Sequence, residues 1–171
     1  MSAHKNQPHP SKEKGSKHLT IKVRQANRSD KDELSNMREL LWPEASIEEH
    51  RKELDSVLRS RMNGTLPMAV LVSQGEDGVL TGFIEVGLRS HADGCDPSRP
   101  VGFVEGWFVQ EAFRKQGIGS ALMRSAEAWA RNQGCREMAS DTWIDDERSL
   151  RTHQALGFEV VDRCMHFRKP L

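Results

Sequence analysis

Apolar positions two apart, Ile21 and Val23, predict a first strand over residues 19–23. Leu34, Met37, Leu40 and Leu41 then recur at helical spacing. Ser29 and Asp32 have the spacing of a capping box for that helix, and Trp42-Pro43 stops it. A second helix carries Ile47, Leu54, Leu58 and Met62, opens on the pair Ser46 and Glu49, and closes near Gly64. Two β-like runs, 67–73 and 79–88, flank the turn formers of 74–78 and predict a hairpin. After a loop over 89–100 come a strand over 101–109, a helix over 117–132 and a short strand over 137–140. The helix buries Ile118, Leu122, Ala126, Trp129 and Ala130 along one stripe. A last helix, 145–156, ends at Gly157, and two strands, 159–162 and 165–168, close the chain.

Hairpins come first in this order and βαβ crossovers later. The order predicts an α/β architecture, a central mixed, twisted sheet of six to seven strands with about four helices on both faces. With 171 residues there is room for one such domain, expected over 19–171. Residues 1–18 have almost nothing apolar and predict a solvated basic tail.

Charge sharpens the picture. The chain balances 25 basic against 25 acidic residues. The tail holds four lysines against one glutamate, a net of +3, so the rest carries the compensating −3. A mildly acidic body without a basic helix face points away from nucleic acid and towards a cationic small molecule. The longest uninterrupted apolar run covers only residues 68–72, so no membrane span is expected, and the N-terminus lacks the apolar stretch of a secretory signal. Cys95, Cys135 and Cys164 form no CxxC pair and fit reduced thiols in a cytoplasm. Scattered histidines predict no metal site.

The chemistry concentrates in one segment, GFVEGWFVQEAFRKQGIGSALM. An apolar strand ends at Val109, and Phe113, Arg114, Lys115, Gln116, Gly117, Ile118, Gly119 and Ser120 lead into a helix. A helix start offers unpaired N–H groups and favours negative charge. Glycines at 117 and 119 let a phosphate approach the backbone, and Arg114 and Lys115 add cationic donors. The P-loop pattern fails because Ser120 stands where its lysine belongs, and the dinucleotide fingerprint fails because Leu122 replaces its third glycine. By itself the turn also suits a plain strand-to-helix junction.

On these residues the chain resembles the GCN5-related N-acetyltransferases (GNAT), whose signature Q/R-x-x-G-x-G/A is matched by Arg114, Gly117 and Gly119. Trp107, Phe108 and Val109 before it and HQALGF (153–158) after it look like the same family. A narrower resemblance, to the aminoglycoside 6'-N-acetyltransferases, rests on LWP (41–43), DGCD (93–96), FVEGWFV, GCREMASDT (134–142) and HQALGFE. The family resemblance implies acetyl-CoA between two splayed strands. Backbone N–H groups of Trp107, Phe108 and Val109 would pair with its pantetheine arm, and residues from Arg114 through Ser120 would wrap its pyrophosphate. Relatives place an Asn contacting the cofactor at the last helix start, where this chain has Asp146. The subgroup is commonly dimeric, so the resemblance also implies a homodimer.

An aminoglycoside is polycationic, and the acidic positions matching the subgroup are Glu105, Asp141 and Asp162. Trp42 would face a sugar ring, and His91 falls near a position where relatives often have Tyr. The residues themselves leave bland readings open. Asp141 can cap a turn, Asp162 and His91 can be ordinary surface residues, and Trp42 can be packing. Glu105 differs, because a carboxylate in an apolar strand is costly unless it faces a cleft or a cation. It is the candidate base for the attacking amine. Relatives often use a Tyr to protonate the leaving thiolate. This chain contains no tyrosine, and His153 holds that position, as proton donor or as packing beside the cofactor. Two competing readings remain: acetylation of a polyamine, peptide or protein amine, and a non-catalytic acetyl-CoA-binding module.

Overall fold

Asn27, rather than Ser29, opens the first helical segment in the computed structural model, which describes residues 21–170. The expected tail, 1–18, and the first two residues of the expected opening strand lie outside the described residues. Strand β1 runs Lys22–Gln25. Asn27 and Asp30 then form a reciprocal capping box around a 3-10 turn, displacing the expected Ser29–Asp32 box by two residues. Asp30 is favoured because it also takes two hydrogen bonds from Arg24, at 2.7 and 2.8 Å. Helix α1 (Lys31–Leu41) stops at Trp42, and α2 (Ile47–Ser60) starts from the Ser46–Glu49 box, both as the sequence predicts. The end of α2 differs: Arg61, at φ 59°, makes the left-handed cap expected of Gly64.

Strand β2 (Met62–Asn63) forms a short ribbon with β3 (Leu66–Gln74). Strands β4 (Leu80–Arg89) and β5 (Val101–Val109) follow, then α3 (Ile118–Asn132), β6 (Met138–Ser140) and α4 (Glu147–Ala155). The sheet order is β1-β3-β4-β5-β6, with β2 beside β3. Every pairing is antiparallel except β5 with β6, the parallel pair that α3 crosses over. Among the described residues, six strands and four helices fulfil the expected architecture.

Alternation along β3 divides the core. Val70 and Val72 face α1 and α2 with Leu34, Leu54 and Phe83. Ala69 and Leu71 face α3 with Ile84, Ile118 and Leu122. The α3 stripe is as predicted, with Met123 also fully buried and Trp129 only half-buried. Residues 159–162 and 165–168 do not form the two expected strands. Their backbone has no ladder partner among the described residues, and Val160, Val161, Met165 and Phe167 are exposed. Alternation yields a strand only where a neighbour supplies the hydrogen bonds. Among the described residues no helix is long and apolar enough to cross a membrane. No cluster of three His, Cys, Asp or Glu residues capable of holding a metal ion occurs among them either.

Candidate active site

The sheet opens along the outer edge of β5. Among the described residues strand β6 pairs only with Gly102, Phe103 and Val104. Beyond them, from Glu105 to Val109, that edge has no ladder partner among the described residues. The main-chain groups that point outward along this stretch therefore border a gap that an extended amide chain can fill by strand-like pairing. The Trp107 Nε1 is buried there without an acceptor among the described residues.

The turn after β5 suits an anion. Lys115 at φ 60° and Gly117 at φ 85° are left-handed, and Gly117 caps the 15-residue helix α3. Left-handed residues before a helix start direct successive N–H groups into one concavity, where the helix dipole adds positive potential. Arg114 is fixed beside it: its Nε donates to the Val109 carbonyl at 2.9 Å. Lys115 and Gln116 are exposed, Ser120 is half-buried, and Ile118 anchors the turn in the core. Gly119 has a reason the sequence reading missed. A Cβ there would lie 3.0 Å from Cζ2 of Trp107, so glycine lets helix and strand close together. A strand edge with free amides, leading into a cationic nest at a helix start, fits the pantetheine and pyrophosphate of coenzyme A.

A second feature is a β-bulge. Glu85 pairs with Gly106 and Val86 with Val104, so Glu105 is the extra residue of β5. The bulge turns Glu105 and Gly106 towards the α1–α2 face, where a cleft of about 550 Å³ is lined by Trp42, His50, Glu53, Glu85 and Glu105. Trp42 fills the space a side chain at Gly106 would need. Arg89 grips the half-buried Glu105 with two hydrogen bonds, Nε to Oε1 at 3.1 Å and Nη2 to Oε2 at 2.6 Å. The guanidinium of Arg89 lies 3.3 Å from the Phe103 ring centroid. Glu105 is thus a pre-oriented carboxylate at a cleft wall.

Glu85 shares this cleft and the sequence reading overlooked it. The residue is 2% exposed. Burial pushes its pKa from 4.5 to about 7, against the opposing pull of Arg38. The signal was present, because Glu85 interrupts an apolar strand just as Glu105 does.

The remaining predicted residues spread out. His153 stands beside the open edge, packed edge-on against Trp107 at 5.6 Å and Phe158 at 5.3 Å. Its Nδ1 lies 2.9 Å from the Ser149 carbonyl and its Nε2 3.0 Å from the Ser140 hydroxyl. Asp146 caps α4, accepting from the Ser149 N–H at 2.8 Å. His91, Asp141 and Asp162 are exposed and do not line the cleft that joins Trp42 to Glu105.

The family model of the acetyltransferase (GNAT) family matches residues 34–158. The chain is 40% identical to an aminoglycoside N(6')-acetyltransferase type 1 of Klebsiella aerogenes over 149 residues, covering 87% of this chain and 96% of that protein. It is 38% identical to the enzyme of the same name from Stenotrophomonas maltophilia, covering 87% and 93%. Among solved structures, aminoglycoside N-acetyltransferase AAC(6')-Iy in complex with CoA superposes with a TM-score of 0.80 at 34% identity, covering 90% of this chain and 97% of that one. With the matched model spanning the bulge, the glycine turn and α3, the chain belongs to the acetyltransferase (GNAT) family.

Proposed function

We propose that this protein transfers the acetyl group of acetyl-CoA directly to a primary amine, the 6'-amine of an aminoglycoside. The observation that carries the reading is the bulge, which sets the carboxylate of Glu105 and the indole of Trp42 on one cleft, on the strand that leads into the coenzyme turn. The relatives named above act on aminoglycosides, and AAC(6')-Iy has been solved with a bisubstrate analogue joining CoA to an acetylneamine.

Bound acetyl-CoA supplies a thioester that an unprotonated amine attacks. The protein's residues prepare that attack. Trp42 offers an apolar face to a sugar ring, and the acidic cleft attracts its ammonium groups. Glu105 accepts the proton the ammonium must lose, directly or through a water, and positions the correct nitrogen. The N–H of Val109 hydrogen-bonds the thioester carbonyl oxygen, where negative charge develops. Arg114, Lys115, Gln116, Gly117, Ile118, Gly119 and Ser120 hold the pyrophosphate. His153, one indole away from the open edge, returns a proton to the leaving thiolate. Asp141, Asp162 and His91 extend the substrate site from its exposed surroundings, and Asp146 orders the start of α4 beside the coenzyme.

We further infer that the protein works in the cytoplasm as a homodimer. Three free cysteines suit a reducing compartment. The exposed apolar residues of 160–167 suit a second copy, which sedimentation of the purified protein tests.

A thiol-release assay across an amine panel tests the main reading. Release of CoA with kanamycin or tobramycin, and not with polyamines or peptides, is the expected outcome. Glu105→Gln should lower kcat by about 10²-fold or more and abolish protection of cells against these drugs. Normal turnover in that variant removes Glu105 from the mechanism, and preferred acetylation of a polyamine or peptide rejects the sugar assignment.

A further inference from the structure

Arg38 of α1 meets two residues of the amine cleft at once. Its Nε lies 3.2 Å from Oε1 of Glu85 on β4. Its guanidinium carbon lies 5.0 Å from the centroid of the Trp42 ring. Both charged side chains are nearly inaccessible, Arg38 at 10% and Glu85 at 3%. Arg38 also reaches Glu53 at the cleft's rim, Nη2 to Oε2 at 3.2 Å. Trp42 is tied at its main chain as well, its carbonyl lying 3.1 Å from Nε2 of the buried His50.

A buried ion pair is a poor way merely to join a helix to a sheet. Two charges must leave water, and apolar residues of like volume make the same contact without that penalty. What apolar residues do not supply is a planar cation against an indole face, anchored from behind. That is the arrangement here. The carboxylate of Glu85 faces the guanidinium at ion-pair distance without a hydrogen bond, the guanidinium lies against Trp42, and Trp42 rests on the bare backbone of Gly106.

We propose that Arg38 and Glu85 are positioning residues for the amine substrate, an ionic strut from β4 to α1 that holds the Trp42 indole on Gly106 and so fixes the wall a ring-bearing amine stacks on. The substrate's identity rests on the function proposed above, whereas the strut is a property of the protein alone. The strut therefore acts on substrate affinity through Trp42 and leaves the coenzyme turn untouched.

The test uses full-length protein labelled with 5-fluorotryptophan, at pH 8. The chain has four tryptophans, and Trp42→Phe identifies the line of that residue in the fluorine NMR spectrum. Arg38→Lys keeps a charge facing Glu85 but loses the planar stack. The double variant Arg38→Met, Glu85→Gln removes both charges and strands neither. Both should shift or broaden the Trp42 line while the other three stay in place. Both should also raise KM for the aminoglycoside roughly tenfold, the weight of a cation–π contact, with the change falling on KM rather than kcat. An unmoved Trp42 line in both variants overturns the proposal. So does a common displacement of all four lines, which would make the pair general support for the fold. If the wild-type protein acetylates no amine, the proposed function fails, and the fluorine spectrum still decides the strut.

Discussion

The indole of Trp42 occupies the space in which a side chain at Gly106 would stand. The two residues are 64 positions apart, one just past α1 and the other on the bulge of β5. Glycine at 106 is thus required by an aromatic neighbour, and by nothing in the strand itself. In Gly106→Ala the new methyl collides with Cζ2 and Cη2 of Trp42, and the ring must leave its seat. Overpacking of this kind costs about 1–3 kcal/mol, visible in thermal unfolding. KM for the amine should rise while affinity for coenzyme A holds. An alanine variant that binds the amine normally would remove Trp42 from the substrate site.

Gly117 and Gly119 lie two residues apart and answer to different constraints. Gly117 has room for a methyl, its nearest neighbour being Ile21 Cδ1 at 3.5 Å, but its φ of 85° strains any L-residue. Gly119 has no such φ, but its absent Cβ faces Trp107 at 3.0 Å. Gly117→Ala should cost about 1–2 kcal/mol of stability and distort the nest. Gly119→Ala should push the Trp107 ring towards His153. Calorimetry with coenzyme A should show weaker binding in both, and an unchanged Kd in either one frees that glycine from the coenzyme site.

The elements that could be read from the chain are those fixed by local residues. The apolar runs of β3 to β5, the Ser46–Glu49 box and the stop at Trp42-Pro43 each carry their own signal. The failures share a physical cause, a partner outside the element being read. Asp30 outcompetes Asp32 as a capping acid because Arg24 holds it. The bulge at Glu105 exists only in the register between β4 and β5. Glu85 becomes notable only once α1 places Arg38 over it. The missing final strands follow the same rule, since alternation in 159–168 finds no ladder to join among the described residues.

His153 can be tested by its removal. A carbonyl only accepts, so Nδ1 carries the hydrogen towards Ser149, and Nε2 faces the Ser140 hydroxyl. As proton donor to the thiolate, the ring must be cationic at Nε2. Its loss in His153→Ala should then lower kcat by about 10²-fold while affinity for the amine holds. A rate within twofold of wild type would leave the ring as packing between Trp107 and Phe158.

Glu85 gives a stability signature of unusual sign. Its carboxyl titrates near 4.5 in an unfolded chain and at about 7 in the folded one, because burial outweighs the attraction of Arg38. Between these values the folded protein holds a proton that the unfolded chain releases, so stability falls as pH rises through this window and levels off above about 7. Over the whole window the loss is about 3 kcal/mol. Asp30 and Asp96 act oppositely: Arg24 and Ser98 respectively hold their carboxyls below the usual range, so their contributions disappear as pH falls into acid. Comparison with Glu85→Gln isolates the buried group. Urea unfolding from pH 4 to pH 8 should show the wild type losing stability relative to the variant, with most of the change complete near pH 7. Parallel curves would mean that Arg38 keeps Glu85 ionised throughout, and that the pull of the ion pair exceeds the burial that opposes it.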